Sequence, residues 1–384
     1  MKLPYWRLSG FYFCYFATLG AFLPFWSLYL KQIGFAATDI GELTALLVAT
    51  KIVAPYLWSW LADKTGRCLR LIRITSLFSA LIFSGFLVRH DYPWVAGVTV
   101  AFSFFWNATL PQFEAATLRH LKTEPQRYSR IRLWGSVGFI ASVLGIGRFL
   151  DDFSIEYLPW IISALLLSNW LMALVTPEAV ASHDHDAAAS VLRILFKPEL
   201  LAFFSVYMLL QVAHGPYYVF YSVFLQQHAY STTLTGFLWA LGVCAEILVF
   251  IWMYGLFKRI SLRGLLLGSL ALSTLRWLMI AHGVDSLPVI VAAQLLHAAS
   301  FGIAHVVAMQ LLHRYFGDRH QSKGQALYSS LSFGLGGMLG SFYSGYLWDA
   351  LGGGPVFVMA ALASGVAFLI AFIGVARQKP VTLG

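Results

Sequence analysis

Six polar side chains interrupt stretches that are otherwise apolar. Lys51, Asn107, His214, Glu246, Arg276 and His297 fall at, or within a few residues of, the middle of six separate hydrophobic runs. An ionisable group at the centre of a membrane-spanning helix costs about 2.5–3.5 kcal/mol on insertion scales. Polar residues without a task drift to span ends, where long side chains reach the headgroups. Six groups at one depth therefore point to a shared polar chamber, and their types suit ion binding and proton transfer. Arg276 and Lys51 are cations suited to an anionic ligand, arginine through two parallel hydrogen bonds to a carboxylate. Glu246, set between burial and a neighbouring cation, can gain and lose a proton as its surroundings change, with His297 assisting. Structural alternatives stay open: Lys51 and Glu246 could neutralise each other, Arg276 could be a partner for Glu246, and either histidine could be a satisfied core residue.

Two further features bear on binding. The run His214-Gly215-Pro216-Tyr217-Tyr218 puts a helix-kinking proline beside aromatic faces that could hold a ring-bearing ligand, and Phe22, Pro24, Phe25 and Trp26 form a parallel run. Glu114 lies about 10 Å from Asn107 by helix rise. It reads either as a second proton site or as a gate partner for a basic loop residue.

Composition says what must position these groups. Of 384 residues, 59% are hydrophobic and 11% charged, against about 25% charged in soluble domains. A hydrocarbon core about 30 Å thick needs about 20 apolar residues at about 1.5 Å each. On that template the chain holds twelve spans: 8–30, 40–61, 69–88, 94–118, 133–150, 157–175, 199–224, 232–257, 262–281, 288–312, 325–349 and 355–376. Residues 176–198 are polar and divide them into an N-terminal bundle of six (1–175) and a C-terminal bundle of six (199–384). The fold class expected is an all-α integral membrane protein of two pseudo-symmetric six-helix bundles.

With the N-terminus inside, 21 of 26 Lys and Arg residues fall on the cytoplasmic side and Lys31, Arg89 and Arg148 outside. This predicts both termini cytoplasmic and reads the net charge of +9 as an insertion signal rather than a nucleic-acid surface. The run 8–30 is too long for the core of a signal peptide. His183-Asp184-His185-Asp186 reads as a solvated linker rather than a metal site. Nucleophile motifs, phosphate loops and metal-ligand clusters are absent, so neither enzyme chemistry nor a cofactor is expected. Glycines in the fifth span (Gly135, Gly138, Gly145, Gly147) and eleventh (Gly336 and Gly340 above all) allow close backbone approach.

The two halves repeat. Between Phe25 and Ile52, 11 of 28 positions match those 195 residues later without a gap, among them Gln32/Gln227, Gly41/Gly236 and Val48/Val243. In that register Lys51 meets Glu246, a cation in one copy against an anion in the other.

The segment Ser59-Trp60-Leu61-Ala62-Asp63-Lys64-Thr65-Gly66-Arg67 resembles the signature loop of the major facilitator superfamily, with Ser59 replacing a glycine. Leu23-Pro24-Phe25-Trp26-Ser27, Arg132-Leu133-Trp134-Gly135-Ser136, the run from Leu241 to Glu246, Arg276-Trp277 and Leu296-His297 are similar to the phenylpropionate permease branch, near lactose-permease-like and nucleoside proton symporters. The resemblance implies gating by Asp63, Lys64, Gly66 and Arg67; the second-half counterpart keeps Lys258 and Arg259 but lacks the acid. It also puts Asn107, His214 and His297 in the wall of a central cavity and Lys51 and Glu246 at its sides. Lactose-permease-like symporters carry an acid three residues after the tenth-helix histidine; here Ser300 stands there, which leaves Glu246 as the main proton carrier.

The function expected is a monomeric, proton-coupled symporter of a small organic anion, an aromatic carboxylate such as a phenylpropionate, working by alternating access. Lys51, Asn107, His214, Tyr217, Tyr218 and Arg276 would bind substrate; Glu246, His297 and Glu114 would serve the proton. The alternatives are a proton symporter of a neutral sugar or nucleoside, and a drug–proton antiporter.

Overall fold

The computed structural model describes residues 3–121, 124–178 and 197–375; the segment His183-Asp184-His185-Asp186 lies outside them. The described residues are helical and carry no strand. In the first part of the chain lie α1 (Tyr5–Gln32), α2 (Ala37–Thr65), α3 (Cys68–Phe83, prolonged by a 3-10 turn, Ser84–Leu87), α4 (Tyr92–His120), α5 (Tyr128–Asp152) and α6 (Leu158–Val175). Then follow α7 (Pro198–Gln227), α8 (Thr232–Arg259), α9 (Leu262–Gly283), α10 (Leu287–Leu295), α11 (Ala304–Tyr328), α12 (Gly337–Leu351) and α13 (Gly353–Gly374). Wide π turns at Ala298–Ile303 and Ser329–Gly336 join α10 to α11 and α11 to α12.

Ten helical stretches among the described residues are long and apolar enough to cross a membrane. The other two expected spans fall on α4, which carries Asn107, Gln112 and Glu114, and on the helix beyond Gly317. One expectation is corrected here. Residues 313–324, read as a loop, are helical apart from a break at Gly317 (φ 60°, ψ 178°). Polar residues mark where a helix leaves the bilayer, not where it ends, and the positive φ is why glycine stands at the break.

The chain divides into two compact units, 1–186 with 231–237, and 187–230 with 238–384. Within the first unit, α1 lies against α5 through glycines. A Cβ on Gly20 would stand 2.8 Å from the Phe139 carbonyl oxygen, and one on Gly138 would stand 2.2 Å from that of Phe13. Within the second, α7 meets the second π turn and α12 in the same way. A Cβ on Gly215 would lie 2.3 Å from the Gly340 carbonyl carbon, and one on Gly336 would lie 2.6 Å from the Met208 oxygen. Gly20 and Gly215 are again 195 positions apart, and so are two buried tyrosines. Tyr12 Oη donates to Thr117 Oγ1 on α4 (3.3 Å), and Tyr207 Oη donates to the Ala304 carbonyl (2.9 Å). The repeat thus reaches beyond Phe25–Ile52.

Pro216 explains the tight contact in the second unit. A helix proline leaves the carbonyl four residues back without its partner, here that of Val212. That oxygen lies 2.8 Å from where a Cβ on Gly340 would sit.

The α2–α3 connection is held by complementary helix ends. Gly66 ends α2 in the left-handed conformation (φ 65°), its N–H donating to the Ala62 carbonyl. Arg73 Nε and Nη2 donate to the carbonyls of Ala173 (3.1 Å) and Thr176 (2.8 Å) at the end of α6, and the Leu69 N–H at the start of α3 donates to Glu178 Oε1 (2.9 Å). Cation at a C-terminus and anion at an N-terminus are the favourable arrangement for helix dipoles.

The first turn of α8 groups with the first unit. Asp151 Oδ1 accepts from the Thr232 N–H (2.9 Å) and hydroxyl (2.5 Å), and Oδ2 accepts from the Thr233 N–H (3.2 Å). Asp151→Ala removes this cap and is expected to lower stability by about 1 kcal/mol. Thermal unfolding in detergent reads the loss, and Asp151→Asn should recover part of it.

Candidate functional site

The second unit gathers most of the expected residues on three helices and a π turn. Arg276, fully buried on α9, touches two rings: its guanidinium carbon is 4.3 Å from the centre of Tyr217 and 4.4 Å from that of Trp277, and the two centres are 5.9 Å apart. Nε donates to the Ala293 carbonyl (3.1 Å) and Nη1 to Ser300 Oγ (3.1 Å). Nη2 has no partner. None of the ion pairs found among the described residues includes Arg276.

Glu246 on α8 is met by His297, whose Nε2 lies 2.7 Å from Oε1; the side chains are 14% and 8% exposed. Space for that imidazole comes from Gly242, where a Cβ would meet His297 Cδ2 at 3.3 Å. The Nδ1 of His297 has no partner. His214 Nδ1 is 2.7 Å from the Leu210 carbonyl. A carbonyl only accepts, so Nδ1 carries the proton and Nε2 presents a lone pair, with no partner of its own. Tyr217 Oη donates to Gln294 Oε1 (3.0 Å), and its ring lies 5.4 Å from His297 and 4.6 Å from Trp239. Tyr218, half-buried, stacks on His214 at 5.8 Å.

The first unit differs in character. Positions around the counterpart helices are filled with stacked rings, Tyr15 on Trp106 at 4.2 Å and Phe22 on Trp26 at 5.0 Å. Asn107 gives its amide nitrogen to α2, donating to the Leu47 carbonyl (3.0 Å) and Thr50 Oγ1 (2.8 Å). Lys51 is half-buried, and none of the ion pairs among the described residues of this unit involves it. Glu114 pairs with Arg132 of α5 at 3.7 Å, and that guanidinium lies 4.0 Å above Phe16. Of the expected gating residues, Asp63 and Lys64 stand in the last turn of α2, which runs through Thr65, and only Gly66 and Arg67 form the connection to α3; Asp63, Lys64 and Arg67 are exposed, with Lys64 Nζ 5.1 Å over Trp60.

Sequence reasoning missed Gln294, the partner role of Ser300 and the aromatic contacts of Arg276; Arg132 is the basic residue that the gate-partner reading of Glu114 left unnamed. A signal for the first two was present. Gln294, His297 and Ser300 recur every third residue, which puts them on one helix face, and a glutamine in an apolar span calls for a reason as much as a histidine does.

Comparison with known proteins follows the same lines. Residues 5–359 match the MFS_1 like family. Over 375 residues the chain is 31% identical to the probable 3-phenylpropionic acid transporter of Escherichia coli (strain K12), covering 95% of this chain and 96% of that one. It is 28% identical to the maltose permease of Geobacillus stearothermophilus, over 96% of this chain and 94% of the other. The fold superposes on the crystal structure of the nucleoside transporter NupG with a TM-score of 0.86 at 17% identity, covering 98% of this chain and all of that one. That last likeness speaks for the fold alone.

Proposed function

The chain belongs to the MFS_1 like family, and from that premise we propose proton-coupled symport of a small, uncharged, hydroxyl-bearing molecule of the sugar or nucleoside class. It is a secondary active transporter of a small molecule and not an enzyme, a multi-pass protein of the bacterial inner-membrane type. The observation that carries proton coupling is the His297–Glu246 contact at 2.7 Å, the one ionisable pair described inside the second unit's polar cluster. A carboxylate bound to an imidazole can take a proton on one face of the membrane, release its partner and return the proton on the other. Both termini are assigned to the cytoplasm from the distribution of Lys and Arg.

The sequence alone favours an anion, and the neutral reading has the better support. Unmet groups around Tyr217 are of both kinds: Arg276 Nη2 and Gln294 Nε2 can only donate, whereas His214 Nε2 can only accept. A carboxylate offers acceptors alone and would leave the histidine lone pair facing another. Hydroxyls serve both. With Glu246 ionised and His297 neutral, the charges of Arg276 and Glu246 balance, which suits an uncharged ligand. The maltose permease is consistent with this class. A second reading, an aromatic carboxylate held by Arg276, is supported by the Escherichia coli relative.

Proteoliposome uptake of maltose, uridine and 3-phenylpropionate under an inward proton gradient separates the two readings. A neutral substrate should accumulate in the gradient, and its binding should be unchanged in Lys51→Met. Accumulation of 3-phenylpropionate alone, lost in that variant, would restore the anionic reading. Gradient-independent uptake of every compound would end proton coupling.

A further inference from the structure

The unmet hydrogen-bonding groups of the second unit are not scattered. Gln294 is fully buried, and its amide is divided: Oε1 accepts from Tyr217, while Nε2 has two protons to give and, among the described residues, at most the Tyr221 hydroxyl to receive one. Arg276 repeats the pattern on the adjacent helix, with Nε and Nη1 engaged and Nη2 not. The two side chains are tied to each other's surroundings. Arg276 Nε is bound to the carbonyl of residue 293, next in the chain to Gln294, and its guanidinium covers the face of the tyrosine whose hydroxyl holds Gln294. The rings of Tyr217 and Trp277, with centres 5.9 Å apart, hold the guanidinium from two adjacent directions. Native proteins seldom leave buried donors unmet, because each keeps the cost of its lost hydration. Two such donors, on neighbouring helices and each in contact with Tyr217, are what a site that binds oxygen atoms requires.

We propose that Gln294 is a specificity-determining residue, its amide N–H groups and Arg276 Nη2 forming one donor pair for an oxygen-bearing end of the transported molecule. This inference rests on the transport reading above. The shared chemistry is an oxygen with free lone pairs, whether a sugar or ribose hydroxyl or a carboxylate. Tyr217 acts as the positioning residue: by donating to Oε1 it turns Nε2 away from itself. His297, three residues on, ties the donor pair to the proton site along one helix face.

Gln294→Glu tests this, because it keeps the oxygen that Tyr217 needs and replaces only the donor. The new carboxylate also competes for Arg276 Nη2, so both donors are withdrawn together. Ligand-induced thermal stabilisation of the purified full-length protein, with maltose, uridine and 3-phenylpropionate as probes, measures affinity without reference to protons. For the probe that wild type binds, Gln294→Glu should raise the dissociation constant at least about 30-fold, two unmet hydrogen bonds' worth. A hydroxyl can turn to donate to the new oxygen, whereas a carboxylate cannot. A neutral probe should therefore retain measurable binding, and an anionic one should lose it. Gln294→Met, which keeps length but has no amide, should weaken either probe and provides the measurement if the acidic variant does not fold. Unchanged affinity in both folded variants would overturn the proposal, as would failure of all three probes to stabilise wild type while a ligand without oxygen acceptors does so. Failure of the transport reading looks different: a probe that binds, and whose binding responds to Gln294, yet is not accumulated under a proton gradient.

Discussion

Glu246→Gln should abolish proton-driven accumulation while sparing exchange. Glutamine has the size of glutamic acid and keeps an oxygen for His297, but it has no proton to release. The His297–Glu246 contact of 2.7 Å would persist as an ordinary hydrogen bond in every step of the cycle. A site that cannot change its protonation cannot couple to the gradient. Accumulation in proteoliposomes should fall by about 100-fold, the scale set by removal of a working acid–base group. Counterflow at equal pH on both sides involves no net proton movement and should stay within about fivefold of wild type, since the variant removes no donor needed by the ligand. Full gradient-driven accumulation would remove Glu246 from the mechanism and leave Glu114, paired with Arg132, as the next carboxylate to test. Loss of counterflow along with accumulation would reassign Glu246 to ligand binding.

The largest structural effect is expected at Gly215. A valine there would put its Cβ 2.3 Å from the carbonyl carbon of Gly340 and 2.5 Å from its Cα. Both are backbone atoms, so no side-chain rotation relieves the contact. Overpacking of a well-filled interior costs about 1–3 kcal/mol and occasionally more; with backbone on both sides, Gly215→Val is expected at the upper end or beyond. Gly20→Val in α1 should be milder, because its nearest obstacle is a carbonyl oxygen at 2.8 Å. Gly145 on α5 is the control. Nothing lies within 4 Å of its Cβ position, and Gly145→Val should stay within about 0.5 kcal/mol of wild type. Thermal unfolding of the three variants in detergent should rank them in that order, and equal unfolding temperatures would show that the helices part more easily than these contacts imply.

The pattern of what the sequence revealed has physical reasons. Apolar runs of membrane length are read directly, because the bilayer imposes their composition on each span independently of its neighbours. The 195-residue repeat is legible for a similar reason: Gly20 and Gly215, or Tyr12 and Tyr207, serve the same contact in each unit. Depth along a helix is also readable, which is how Glu246 and His297 came to be named together. Direction around the helix is harder. Arg276 and Glu246 share a depth, yet the arginine turns to Ala293 and Ser300. Asn107 is as central as His297, but its amide nitrogen is engaged by α2. Gln294 escaped notice because a neutral side chain draws less suspicion than a charge, although its buried amide faces the same desolvation problem. The helical run through 313–324 was unreadable for a different reason: hydropathy reports the solvent around a helix, and this one continues into water.

The π turn at Ala298–Ile303 is where the tenth span takes up an extra residue. A turn closed by i→i+5 bonds holds one residue more than an α-helical turn allows, and excising that residue would heal the helix. The extra residue is absorbed within one turn, so side chains beyond it would keep about their present angular places, whereas the same loss from a regular α-helix would swing every later side chain by about 100°. Ala304 would still present its carbonyl to Tyr207, with Gln294 and His297 unmoved upstream. A single-codon deletion within Ala298–Ile303 should therefore be tolerated where one a few residues further along would not, which makes this turn a place where evolution can add or remove a residue without regripping the helix.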